Sequence, residues 1–169
     1  MRKALDALYN SAAALAALCL VGLLIMVMLS IVGRQLHFHV PGTDAYAGYL
    51  MAASGFLALA HTLKRGEHIR VTLLLAQLTG AWKKSLELWS LGFATALSSL
   101  FAWYCCRLAW QSHTFHDIST GSDATPLWIP QIPMAVGAVI LAIAFIDELV
   151  LEITGQRRDK ISDEPLRSE

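Results

Sequence analysis

Four runs without a charged side chain dominate this sequence: Ala7 to Gly33, Ala45 to Leu63, Leu88 to Cys106 and Ala124 to Ile146, of 27, 19, 19 and 23 residues. A bilayer has a hydrocarbon core about 30 Å thick and a helix rises about 1.5 Å per residue, so roughly 20 residues cross it. Each run is long enough, and the first overshoots. A spanning β-barrel would need polar residues at every second position, which these runs lack. The expected fold is therefore all-α, a single membrane domain over 1–155. Its transmembrane helices lie at about 7–33, 45–63, 86–107 and 129–152. A composition of 56% hydrophobic and only 15% charged residues is outside the range of ordinary soluble domains.

Basic residues beside a span are retained on the cytoplasmic side. Arg2 and Lys3 precede the first run, Lys64, Arg65, Arg70, Lys83 and Lys84 separate the second and third, and Arg157, Arg158, Lys160 and Arg167 follow the fourth. The other side has only Arg34 and Arg107. Both termini are thus expected in the cytoplasm. Tryptophan favours the headgroup level, and Trp82 and Trp89 at one face against Trp103, Trp110 and Trp128 at the other agree with this. The basic start and Ala-rich Ser11 to Leu24 stretch resemble a signal peptide, but the apolar run is too long and no small-x-small site ends it, so it is expected to stay attached.

Between the second and third runs, Ile69 to Trp82 is too short to span and too apolar for a free loop, which predicts an interfacial helix at about 69–82. Its wheel puts Arg70 and Gln77 on one polar stripe and Thr72 and Thr79 on another. Ile69, Leu73 and Ala76 form one apolar face, and Val71, Leu74, Leu75 and Leu78 the other, which suits a helix with lipid on one face and protein on the other; a simple interfacial turn is the alternative. Small residues recur at Ala45, Gly48, Ala52 and Gly55 and at Ala138 and Ala142, which permits close helix approach; packing within the bundle is the expected use. Pro126, Pro130 and Pro133 suit the entry of the fourth helix, where a missing N–H costs least. The polar tail at 156–169 is expected to be disordered.

The chemistry is sparse. Mid-span positions carry no ionisable residue, no phosphate-binding glycine loop ending in Lys-Ser or Lys-Thr occurs, and no helix is broken near its middle by Gly and Pro. Enzymatic activity and an autonomous pump are not expected. Cys19, Cys105 and Cys106 all fall in spans and show no disulfide or metal spacing. His37, His39, His61, His68, His113 and His116 do not form a matched pair at mid-depth, so haem is not expected. His113, His116 and Asp117 have a spacing that suits a weak metal site or a solvated helix end. No cofactor is expected on this chain.

Three segments then carry a resemblance: Gly33-Arg34 ending the first helix, GEHIRVTLL at 66–74, and TPLWIPQIPMAVG at 125–137. In order, spacing and layout, from about Leu5 to Glu152, the chain resembles the small, Q-type (DctQ-like) membrane subunit of tripartite ATP-independent periplasmic (TRAP) transporters. The family often has a Trp and an acidic pair just before the second helix, where this sequence has only Asp44. The resemblance implies a subunit of the bacterial inner membrane bound to a large, multi-span M-type subunit that carries the sodium and organic-acid sites. A periplasmic substrate-binding protein delivers the solute, and the small subunit braces the scaffold against which the large one moves as an elevator. Nucleic acid has no part in this.

Under that resemblance Arg34, Asp44, Asp117 and Asp123 are candidates for docking the binding protein. His68, Arg70 and Leu74 would fix the interfacial helix against headgroups or the large subunit, and Gly48, Ala52 and Gly55 offer a partner or lipid face. Pro126, Trp128 and Pro133 would set the entry of the fourth helix. Two other classes fit a compact four-helix membrane protein: a redox-enzyme anchor with bound haem, and a small autonomous transporter.

Overall fold

A computed structural model describes residues 2–38, 40–65, 81–121 and 123–154. The expected interfacial helix, with His68, Arg70 and Leu74, and the polar tail lie outside these residues, except that Ala81 and Trp82 begin the third helix. The described chain is all-helical: α1 (Arg2–Gln35), α2 (Thr43–Arg65), α3 (Ala81–Thr114) and α4 (Trp128–Ile153). An isolated bridge joins Ile118 and Pro126. Each helix runs past the C-terminal end of its uncharged stretch, because intrahelical hydrogen bonding does not stop where hydrocarbon ends.

Three of these helices are long and apolar enough to cross a membrane, over Lys3–Gln35, Lys84–Thr114 and Trp128–Ile153. The 23-residue α2 is not among them. Tyr46, Gly48, Tyr49, Ser54, Gly55 and His61 dilute its apolar content. Its place in the fold accounts for this, since α1 packs along one of its sides and α4 along another.

The helices follow one another in a row, an order that the sequence reading left open. The spatial order is α1, α2, α4, α3; α1 meets α4 only briefly, and α1 and α3 do not pack together. Two clusters fill the contacts. Tyr9 and Ala12 of α1, Ala60 and Leu63 of α2, and Ile140 and Ala144 of α4 gather at one end. The start of α1 and the end of α4 therefore lie at the same end of the molecule. The second cluster joins Ala102 and Cys105 of α3 to Ala135, Ala138 and Ala142 of α4. Alanine predominates because apolar surface gains nothing by leaving lipid, so association in a bilayer depends on close van der Waals approach.

The closest approach is at Gly137, where a Cβ would lie 2.6 Å from the carbonyl carbon and oxygen of Phe56. That clash is with backbone, which cannot swing aside. Ala138 and Ala142 are buried, in keeping with internal packing. The α2 stripe is the opposite case and corrects the sequence expectation: Gly48, Ala52 and Gly55 are exposed, and a Cβ at Gly48 or Gly55 would meet nothing within 4 Å. The face that α2 buries carries Ala53, Leu57 and Ala60 instead. The sequence reading failed here because both faces of α2 are rich in small residues.

Gly137→Ala is expected to destabilise the chain in detergent by about 1–3 kcal/mol, the usual cost of overpacking. Gly55→Ala should be neutral, or stabilising by up to about 1 kcal/mol through helix propensity. Thermal unfolding followed by circular dichroism distinguishes the two.

Candidate functional site

The turn between α1 and α2 is tight, and its residues explain how. The Leu36 amide donates to the Val32 carbonyl at 2.9 Å and the Phe38 amide to Gly33 at 3.0 Å. His37 takes the left-handed conformation at φ 58°, as Gly42 does at 82°. Any Cβ at Gly33 would lie 2.8 Å from the Phe38 carbonyl oxygen, so a glycine before Arg34 is a packing requirement.

Beneath this turn is a half-open cavity of about 290 Å³. Leu29, Gly33, Phe38 and Val40 supply its apolar lining, and Ser30, Arg34, His37, Thr43 and Asp44 its polar lining. Arg34 and Asp44, ten residues apart in sequence, thus share one cavity. Ser30 Oγ donates to Asp44 Oδ1 at 3.4 Å. Arg34 has no carboxylate partner among the described residues. Both charges are favourably placed on their helices, since a cation in a last turn and an anion in a first turn oppose the local helix dipoles.

The loop between α3 and α4 folds back onto α2 beside that turn. Ser119 N donates to Thr125 O at 2.8 Å and Leu127 N to Asp117 O at 2.9 Å, which makes a short hairpin. The Tyr49 hydroxyl lies 2.9 Å from Ser119 Oγ and 3.1 Å from Asp123 Oδ2, a bond it donates. Ser119 Oγ donates to Asp123 Oδ1 at 2.9 Å, and Thr125 Oγ1 and the Tyr46 hydroxyl lie 3.0 Å apart. Tyr46 and Tyr49 meet edge to face, with centroids 6.1 Å apart. Hydrogen bonds from Thr125, Ser119, its own amide and Tyr49 hold the Asp123 carboxyl below its usual range, against partial desolvation. Its two oxygens are taken up within the chain, which leaves Arg34, Asp44 and Asp117 as the more available charges of the four singled out in the sequence.

Residues 23–155 match the family described as tripartite ATP-independent periplasmic transporters, DctQ component. The chain belongs to this DctQ family. The match covers well over half of the sequence and takes in all three segments that carried the resemblance. Among curated proteins, none matches. A DctQ component is one part of a tripartite transporter, so other components are its partners, and the long apolar helices agree with a place in the membrane.

In this DctQ chain two of the three residues expected at the entry of α4, Pro126 and Trp128, are found there, and Pro133 is not. Pro126 pairs with Ile118 ahead of the helix. Trp128 opens it and packs edge-on against His113 at 5.3 Å, which ties the start of α4 to the end of α3. Pro133 lies beyond the first turn, inside α4. His113 and His116 keep their rings stacked, with centroids 6.5 Å apart, although α3 ends at Thr114 and His116 takes the left-handed conformation at φ 55°. Among the described residues, no group of three or more His, Cys, Asp or Glu side chains is arranged to hold a metal ion.

Sequence reasoning missed two features. One is the Tyr46, Tyr49, Ser119, Asp123 and Thr125 network, whose bonds from α2 to the loop join positions 70 or more residues apart; a tyrosine pair at i, i+3 on a helix entry was the available signal. The other is a clamp at the opposite end, where Lys64 of α2 forms an ion pair with Asp6 of α1 and lies 5.4 Å from the Tyr9 ring centroid. Tyr9 is 2% exposed, and the lysine stem and ammonium cover it.

Asp123→Asn or Tyr49→Phe should release the loop and raise amide exchange over residues 115–127 while the helices stay protected. A depressed carboxyl stabilises the folded loop above the ordinary aspartate range near about 3.9, and that stability is lost as pH falls through the lower folded value. In the unsubstituted chain, exchange corrected for its intrinsic pH dependence should therefore rise below about pH 4.

Proposed function

We propose that this chain is a non-catalytic scaffold subunit in a sodium-coupled, binding-protein-dependent uptake system for organic acids. It crosses the bacterial inner membrane four times with both termini in the cytoplasm. The large M-type subunit carries the sodium and solute sites, and a periplasmic substrate-binding protein delivers the solute. In this reading α2 is the fourth span, shielded by its neighbours and by a partner.

One observation carries the proposal: the chain leaves most of its own apolar surface uncovered. Only 6% of the most apolar stretch of α1 is buried, and the small-residue face of α2 is open along Gly48, Ala52 and Gly55. A face without side-chain bulk favours the close approach of another helix, as the chain itself demonstrates at Gly137. We assign that face to the large subunit. The absence of ionisable side chains at mid-span agrees, because a segment of this kind can brace a partner but has little with which to bind an anion. His68, Arg70 and Leu74 are assigned to the interfacial segment that meets headgroups or the large subunit, and Arg34 and Asp44 to the periplasmic docking surface.

Affinity purification of the tagged chain from its native membrane in mild detergent should recover one large polytopic protein in near-equal amount. Recovery of the chain alone, or with a haem protein, would overturn the proposal. Gly48→Leu and Gly55→Leu should each lower that recovery without lowering the thermal stability of the isolated chain. Arg70→Glu should also lower it, by placing an acid against headgroups or partner.

A further inference from the structure

One face of α3 differs in kind from the open face of α2. Trp89, Phe93, Leu97, Leu100, Tyr104 and Arg107 follow one another at steps of three and four residues, so they form a single stripe along the helix. All are exposed, and no other described helix covers them. Trp103 and Trp110 flank Arg107 on the same side. Trp89 and Trp110 are 69% and 74% exposed, the latter the most exposed large apolar side chain among the described residues.

The spacing of these aromatics says what covers them. Trp89 and Trp110 are 21 residues apart, or roughly 31 Å along a helix, the thickness of a bilayer's hydrocarbon core. Between them the stripe is leucine and aromatic, and indole rings at both limits are the pattern of headgroup-level anchors. Arg107 lies one turn inside the Trp110 limit and has no carboxylate partner among the described residues. A protein partner covering this face would have to bring an acid to it. Every phospholipid brings a phosphate just beyond the Trp110 limit, within reach of a guanidinium that snorkels outward on its long flexible stem.

We propose that this face of α3 is the lipid boundary of the assembled transporter, with Arg107 on lipid phosphate between Trp103 and Trp110, and that the large subunit lies elsewhere on the chain. This rests on the scaffold reading above. It adds an orientation to it: the α3 edge of the row points outward into the bilayer.

The test is a spin-label depth scan on the co-purified complex in phospholipid vesicles. Phe93→Cys, Leu97→Cys, Leu100→Cys and Tyr104→Cys are labelled singly, with Cys19 and Cys106 replaced by alanine. Each variant is first checked for recovery with the large subunit, so that loss of the complex is seen separately from the result of the scan. Oxygen accessibility relative to a polar nickel chelate should be high at all four sites, greatest at Leu100, midway between the tryptophan limits, and lower on both sides. Low oxygen accessibility at all four would mean that protein covers the face and would overturn the lipid assignment while leaving the scaffold reading intact. A maximum displaced by a turn or more toward Tyr104 would set Arg107 deep in the hydrocarbon and overturn its placement at the phosphates.

Discussion

The seam between α2 and α4 makes one object of two helical hairpins. α1 and α2 form one hairpin, α3 and α4 the other, and direct packing between the hairpins is carried mainly by α2 against α4. Where they cross, Gly137 admits the backbone of Phe56 to a distance no side chain would allow. Hydrocarbon gives no general push toward helix association, so contact at this range is the principal attraction available along the seam. The polar contacts at its two ends are secondary to it. Tyr49 with Asp123 and Ser119 fastens one end, and the cluster of Tyr9, Ala60 and Ile140, roofed by Lys64 and Asp6, closes the other.

Those fastenings also divide the work between depth levels. Within the apolar zone, specificity comes from the absence of side chains, at Gly137, Ala138 and Ala142. Beyond it, where water competes for hydrogen bonds but does not abolish them, specificity comes from hydroxyls and a carboxylate. Asp123 illustrates the second regime, since its carboxyl organises a loop of left-handed turns at His116 and Ala124 that apolar packing alone would not fix.

The sequence was most informative about what a helix must satisfy by itself. Uncharged runs located the helices, and Pro126 with Trp128 located the start of α4. It was least informative about which way each helix faces. In water, polar and apolar residues mark the two sides of a helix, but in lipid both sides are apolar, and α2 has small residues on each. Hence Gly48, Ala52 and Gly55 read as packing residues while the buried face is that of Ala53, Leu57 and Ala60. The row had the same origin: nothing in the composition of the four helices says that the first and third stay apart. The Tyr49 to Asp123 bond was hidden for another reason, as it joins two segments whose proximity is itself a product of the seam.

A row has a geometric consequence that a bundle would not. Four helices in a straight row, at roughly 8–10 Å between axes, would extend a little under 40 Å. The same helices in a square would reach only about half as far. Here α1 also reaches α4 in the cluster around Tyr9, and Phe56 of α2 stacks on Phe101 of α3, so the row folds in on itself to some extent at these points. Even so, an elongated body has a longer lever arm along its length than across it, and rocking that lifts one end of the row must carry its far edge through the depth of the bilayer.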